Sequence, residues 1–243
     1  MIIQGANRRG VISLLMLGLA VVPLLGCGLV SSGLPVYRYR LTVEVDTPEG
    51  LKTGSSVIEV HSAIAGRNSI PTPGAFSHRA QGEAVAVDLG ARGVLFALLS
   101  SDDNPDWASG VMFGFAPGTG DNTEVRFREM LKNRNLIELP KRFKGSMYVK
   151  GNLARPTLVT FVNTSDPTTI SKVNPDDLTT SFGPGVKLRR MTVRFTDDPV
   201  TTGIEHRLTW LPNTYERLHG TNFHPDGIPV GDFQHMFSTE EFK

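Results

Sequence analysis

Five residues near the C-terminal end, His219, His224, Asp226, Asp232 and His235, supply imidazole and carboxylate, the donor types that suit a transition metal. Their spacing is not that of a helix-borne zinc site, because no two histidines stand four apart and no His-Glu-x-x-His occurs. His224-Pro225-Asp226-Gly227 reads equally well as a turn. Ser55 and Ser56, with His61 nearby, offer a hydroxyl and a base, yet the Gly-x-Ser-x-Gly elbow that would activate such a serine is missing. Asp102, Asp103 and Asp106, and separately Asp197 and Asp198, could act as paired acids. Both sets lie beside prolines, in turn-like stretches where Asp is favoured anyway. The glycine-rich run Gly114-Phe115-Ala116-Pro117-Gly118-Thr119-Gly120 precedes a helical pattern, where a phosphate could rest on the helix N-terminus. No Gly-Lys-Ser/Thr follows it, and no dinucleotide pattern is present. The sequence therefore assigns no catalytic residue, no metal ligand and no cofactor. A hydrolase or metal-dependent enzyme built on the C-terminal His and Asp residues stays open as the alternative to a non-enzymatic protein.

The remaining reactive side chain is Cys27, the single cysteine of the chain, so neither an internal disulfide nor a cysteine zinc cage can form. It follows Arg8, Arg9 and the apolar stretch VISLLMLGLAVVPLL at residues 11–25. Cations, then an apolar run, then small residues form the grammar of a secretory signal. The cations stay on the cytoplasmic side while the apolar run enters the bilayer. Leu24-Leu25-Gly26-Cys27 resembles the bacterial lipobox, with Leu25 bulkier than the usual residue at its position. The resemblance implies a diacylglyceryl group on the Cys27 thiol and cleavage that leaves Cys27 as the acylated N-terminus. Two other readings remain: an uncleaved anchor over residues 10–30, interrupted near its end by Pro23, or a plain cleaved signal. All three place the rest of the chain outside the cytoplasm. Gly28 stands where an Asp would resemble the inner-membrane retention signal, so the expected location is the outer membrane, facing the periplasm, in a cell with two membranes.

Net charge excludes one further class. Twenty-five basic residues against 24 acidic ones give +1, with the signs interspersed, so no bulk field points to nucleic acid. The expected partners are membrane lipid, through acylated Cys27, and an envelope protein.

These groups need a scaffold, and the pattern of the mature chain is that of strands. Tyr37, Tyr39, Leu41, Val43 and Val45 alternate with Arg38, Arg40, Thr42 and Glu44, the signature of a half-buried strand. Thr47-Pro48-Glu49-Gly50 is a turn, and residues 55–62 make a second strand. Residues 67–81 read as loop. Residues 83–89 and 94–99 form a hairpin across Gly90-Ala91-Arg92-Gly93, its second strand buried on both faces. Further strands are expected at 157–163 and 186–196. Asp121 with Glu124 opens a helix over 122–133, Pro175 starts a shorter one that Gly183 stops, and Ile204, Leu208 and Leu211 suggest a third. Residues after 212 read as irregular.

The stretches YRYRLTVEVDTPEG with TGSSVIEV, and DPVTTGIEHRLTWLP, resemble uncharacterised bacterial proteins and imply a bacterial source without importing an activity. The expected organisation is a signal peptide at 1–26, a lipidated Cys27 with a tether to residue 35, and one extracytoplasmic domain over 36–243. That domain is expected to be mainly β, either an antiparallel β-sandwich or an α+β antiparallel sheet, with two or three short helices.

Overall fold

A computed structural model describes residues 32–66, 72–118, 122–144, 151–214, 218 and 233–239. Cys27 and the whole signal segment, Asp121, His219, His224, Asp226 and Asp232 lie outside the described residues.

The alternating stretch forms β2 (Tyr37–Thr47), buried at every odd position and half-buried at most even ones. Thr47 turns the chain by donating its hydroxyl to the Gly50 carbonyl (2.7 Å), and Gly50, at φ +113°, accepts a backbone conformation that side chains disfavour. The partner strand β3 (Gly50–Ile64) is therefore longer than its apolar core suggests, and the hairpin is tight. β10 (Lys187–Phe195) pairs with the other edge of β2, with a bulge between Leu188 and Arg190. β7 (Ile137–Glu138) closes that side. Along β3, β1 (Ser32–Gly33) pairs with Ile64 and Ala63, and Leu34 is buried, so three residues assigned from sequence to the tether are part of the folded body. β4 (Phe76–Gln81) takes the opposite edge of β3.

A second antiparallel sheet has the order β5 (Val85–Asp88), β6 (Val94–Ala97), β8 (Leu158–Phe161), β9 (Ile170–Lys172). It carries apolar side chains on both faces. Val85, Val87, Leu95 and Ala97 meet Leu41, Val43, Ile58 and Val193 of the first sheet in the larger core. Phe96, Leu98, Val159 and Phe161 face the other way into a separate core with Trp210, Phe233 and Phe237. Each such side chain contributes about 1.5–3 kcal/mol relative to exposure. The rings of the second core interlock, with Trp210 centred 5.4 Å from Phe233 and 5.6 Å from Phe237. The layers run sheet, core, sheet, core, and then a cover of short turns with α4 (Phe233–Phe237).

The mainly β class with short helices is as the sequence implies. Four local expectations change. In place of one helix through Ile204, Leu208 and Leu211, the chain makes two 3₁₀ turns, Ile204–His206 and Leu211–Asn213. Residues 76–81 are an edge strand rather than loop. The second helix, α3 (Thr179–Phe182), starts late because Asn174 and Asp177 side chains accept from Asp176 and Thr179 N–H groups and hold the preceding residues as turns. Residues 233–237 are helical rather than irregular. α2 (Thr123–Lys132) lies where expected, but its cap is Asn122 rather than Asp121: the Asn122 side chain accepts from the Val125 N–H at 3.0 Å.

The sheets come into close contact at Gly54, where a Cβ would stand 2.3 Å from the Ala86 carbonyl oxygen. The obstacle is backbone, which cannot rotate away. Gly54→Ala is expected to lower the unfolding free energy by about 1–3 kcal/mol. Gly33→Ala, where a Cβ meets nothing within 4 Å, should change it by less than about 0.5 kcal/mol. Urea melts of both variants check this; equal stability would show that the sheets are not in such contact.

Candidate functional site

Beyond β6 the chain is held from two sides. The Leu98 N–H donates to the Thr157 carbonyl and the Leu99 N–H to that of Met236, both at 2.9 Å. Thr157 returns a hydrogen bond to the Ser100 carbonyl. Residues 101–106 then turn, and α1 (Trp107–Gly110) follows. α1 is itself fixed at both flanks. The Tyr39 hydroxyl donates to the Ala108 carbonyl (2.7 Å), and the Trp107 indole donates to that of Ala154 (3.2 Å). Burial pushes the Tyr39 phenol well above its ordinary value, which keeps it a donor.

The turn is built by its own polar side chains. Asp103 accepts from the Ser101 hydroxyl and from the Leu153 N–H, and Asn104 accepts from the Asp106 N–H. Asp102 accepts from Thr157 Oγ1 (2.6 Å) and Lys172 Nζ (2.9 Å). Partial burial would raise the Asp102 carboxyl, but these two hydrogen bonds outweigh it and hold it below the ordinary value.

Against this turn lies a cavity of about 700 Å³, lined by residues 100–106 with Thr157, His235 and Met236. Its volume is in the range of small-molecule sites. Ser100 is buried (4 % exposed), and its hydroxyl has no partner among the described residues. Asp106 and His235 also line a neighbouring cavity of about 260 Å³ that contains His78. His235 is placed there by α4, whose far end is tied to the start of β5 through the Ala84 N–H and Phe237 carbonyl (2.8 Å).

Two sets of residues singled out in the sequence thus meet in space: Asp102, Asp103 and Asp106 share one cavity with His235. Among the described residues, no three His, Cys, Asp or Glu side chains are placed to hold a metal ion. The other candidates disperse. Ser56 points into the interior while Ser55 lies on the exposed face, where its hydroxyl accepts from Arg40, and His61 contacts Glu59. Six residues of strand, about 20 Å, separate Ser55 from His61, too far for a nucleophile and its base. Asp198 accepts from Arg40 at 2.6 Å and from Thr196, holding residues 196–201 against the outer face of the first sheet. Arg38 pairs with Glu59, so both arginines of β2 already have anionic partners. Gly114 sits in a 3₁₀ turn where a Cβ would meet the Phe143 ring at 2.4 Å, so its small size serves packing. Sequence reasoning misses Ser100, Thr157 and Lys172. They stand up to 72 positions apart, on different strands or strand ends, and no local pattern links them.

With carboxylates and Met236 around one volume, the cavity suits a ligand that donates hydrogen bonds or carries positive charge. His78, which lines the neighbouring cavity beside Asp106, supplies a handle on this region. Burial lowers its pKa, and the nearby Asp106 carboxylate opposes this only in part. Its folded value therefore lies below the unfolded value of about 6.5. Between the two values the unfolded chain binds more protons, so stability should fall as pH drops below about 6.5. Thermal melts from pH 7.5 to 5 should show this decline in the parent and a shallower one in His78→Gln. Identical slopes would mean that His78 is solvated.

Known proteins add no assignment of their own: no family model matches the chain, and no curated protein or solved structure matches it.

Proposed function

We propose that this chain is a lipid-anchored protein of the cell envelope, held by acylated Cys27, whose strand-rich body acts as a non-enzymatic binding or structural module. The observation that carries the anchor is the Leu24-Leu25-Gly26-Cys27 motif, set at the end of an apolar stretch and containing the chain's single cysteine. The folded body is under way at Ser32, five residues on, which limits the span between lipid and sheet to about 18 Å at full extension. With Gly28 after the cysteine, the location is the outer membrane, facing the periplasm, where two membranes exist. The cavity beside residues 100–106 gives the module a place for a ligand.

A metal-dependent enzyme is the second reading. It rests on His235 and Asp106 lining the same two cavities. Metal analysis of the purified protein separates the readings. Stoichiometric zinc or manganese that is lost in His235→Ala would favour the enzyme.

The anchor is tested at the thiol. A hydroxyl is a far weaker nucleophile, so Cys27→Ser should abolish labelling by radioactive fatty acid and leave uncleaved precursor in the membrane. The body should keep its melting temperature, since no disulfide is lost and the described core begins at Leu34. Unchanged processing and labelling of the serine variant would reject the lipoprotein reading.

A further inference from the structure

The folded body meets its anchor at one end of the first sheet. There β1 pairs with Ala63 and Ile64, beyond the point where β2 begins to pair with β3. Cys27 stands five positions before Ser32, about 18 Å at full extension. β2 alone is longer, since its 11 residues span about 35 Å. A connection this short holds one end of the body beside the bilayer and keeps the other end away from it.

The surface around that end carries exposed apolar side chains. Among the described residues five large ones are exposed, and three of them lie here: Val36 (50 %), Val125 (54 %) and Leu136 (54 %). Val36 immediately precedes β2, whose Tyr37 ring packs on Phe127 of α2 (5.8 Å) and on Phe195 (5.4 Å). Leu136 immediately precedes β7, whose Ile137 pairs with Val193, so the chain before it runs toward Phe195. A hollow of about 430 Å³ has Val36, Leu131 and Arg134 among its walls. Val125 is on the outer side of α2, whose first turn shares another hollow with Ile64, the partner of Ser32. The other two exposed residues are elsewhere. Leu51 pairs with Asp46 at the far end of β2, and Val162 follows β8 in the second sheet.

Long cations accompany the three. Arg128 and Lys132, three and seven positions after Val125, share its face of α2 and pair with Glu124 and Glu129 through exposed side chains. Arg134 lies over the Phe195 ring, 5.5 Å from its centroid. Side chains of this kind keep their stems along apolar surface and their charged ends at the level of lipid phosphates.

We propose that Val36, Val125 and Leu136, bordered by Arg128, Lys132 and Arg134, form a face that rests on the phospholipid bilayer carrying the acyl chains of Cys27. The occupant is the bilayer because the connection to Ser32 brings this surface, and not the end with Leu51, within reach of the lipid. Scattered single apolar residues are normal on a protein surface, whereas three around one attachment point mark a contact. The inference rests on the lipid-anchored reading of Cys27.

The test uses the full, matured chain in vesicles of phosphatidylethanolamine with a minor share of phosphatidylglycerol, some lipids bearing a nitroxide quencher at the headgroup. Acylation occupies the Cys27 thiol, so a fluorophore attaches only to an introduced cysteine. Leu136→Cys and Val125→Cys should be quenched about threefold more than Leu51→Cys and Val162→Cys, since a docked apolar face sits about 5–10 Å into the headgroup boundary. A body that hangs loosely from its connection would show some gradient too. The Leu136→Cys chain is therefore compared with and without Val36→Glu and Val125→Glu. Those carboxylates resist leaving water, so they should cut quenching at position 136 by about half or more. All five positions are at the surface, and thermal melts confirm that the variants fold. Equal quenching at the four labelled positions would overturn the docking and fit a protein partner on this face instead. Quenching at position 136 that the glutamates leave unchanged would overturn it as well. Labelling of the parent chain at Cys27 would mean that the anchor itself has failed, and the docking with it. Uniform quenching in a chain whose Cys27 takes no label would reject the docking alone.

Discussion

β6 has no polar face, and that constraint organises the layers around it. Leu95 and Ala97 require an apolar partner on one side, Phe96 and Leu98 on the other. An antiparallel sheet can leave one face to water, but a strand of this composition cannot. The first sheet covers one side with the buried row of β2. Among the described residues no strand covers the other side, which is packed with 3₁₀ turns, Trp210 and α4. Those elements are short because they serve as a lid of aromatic rings and not as a second framework. The indole N–H of Trp210, buried with its ring, is satisfied by the Thr164 carbonyl at 2.9 Å, so the lid carries no unpaired donor at that point.

The outer face of the first sheet follows a different logic. Arg38–Glu59, Arg190–Glu44 and Arg189–Asp46 place opposite charges across neighbouring strands. Pairs as exposed as these add at most a fraction of a kcal/mol each. Their role is to keep the face wet and the register single, since a slip of one residue would turn the charges into the core. Residues 196–201 cross this face from β10 and reach β3, where the Thr201 hydroxyl accepts from the Val57 N–H at 2.8 Å. That crossing explains why Val57, on the face that otherwise carries charge, is 1 % exposed. It also delivers the chain to the second core, where buried Glu83 accepts from the Ile204 N–H at 2.9 Å.

The sequence revealed what depends on short-range periodicity. β2 is legible from its strict alternation, the two-faced burial of β6 from its unbroken apolar run, and α2 from the Phe127–Met130 stripe, although Asn122, and not the expected Asp121, caps it. β4 is not, because Phe76, His78 and Ala80 form a mixed inner face next to two prolines. α4 is hidden in a segment rich in Gly, Pro and Asp, where Phe233, Met236 and Phe237 acquire meaning only against Phe96 and Phe161. The site is half visible. Asp102, Asp103, Asp106 and His235 stand out as residue types, whereas Thr157, which lines their cavity, and Lys172, which pairs with Asp102, are brought beside them by the β6–β8–β9 pairing. A pattern of spacing cannot report a juxtaposition that only sheet order creates.

The long reach of these pairings bears on how such a chain is made. β2 waits for β10, so Tyr39 meets Phe195 only after more than a hundred intervening residues have been synthesised. The outer core waits as well, because Phe233 and Phe237 follow Phe96 by more than a hundred residues. Until they arrive, Phe96, Phe161 and Trp210 have no lid, and the growing chain presents aromatic surface and an open sheet to its surroundings. Non-local strand pairing of this kind is slow to form. The architecture therefore leaves the outer core open until α4 has been made, and makes that short helix the element that closes it.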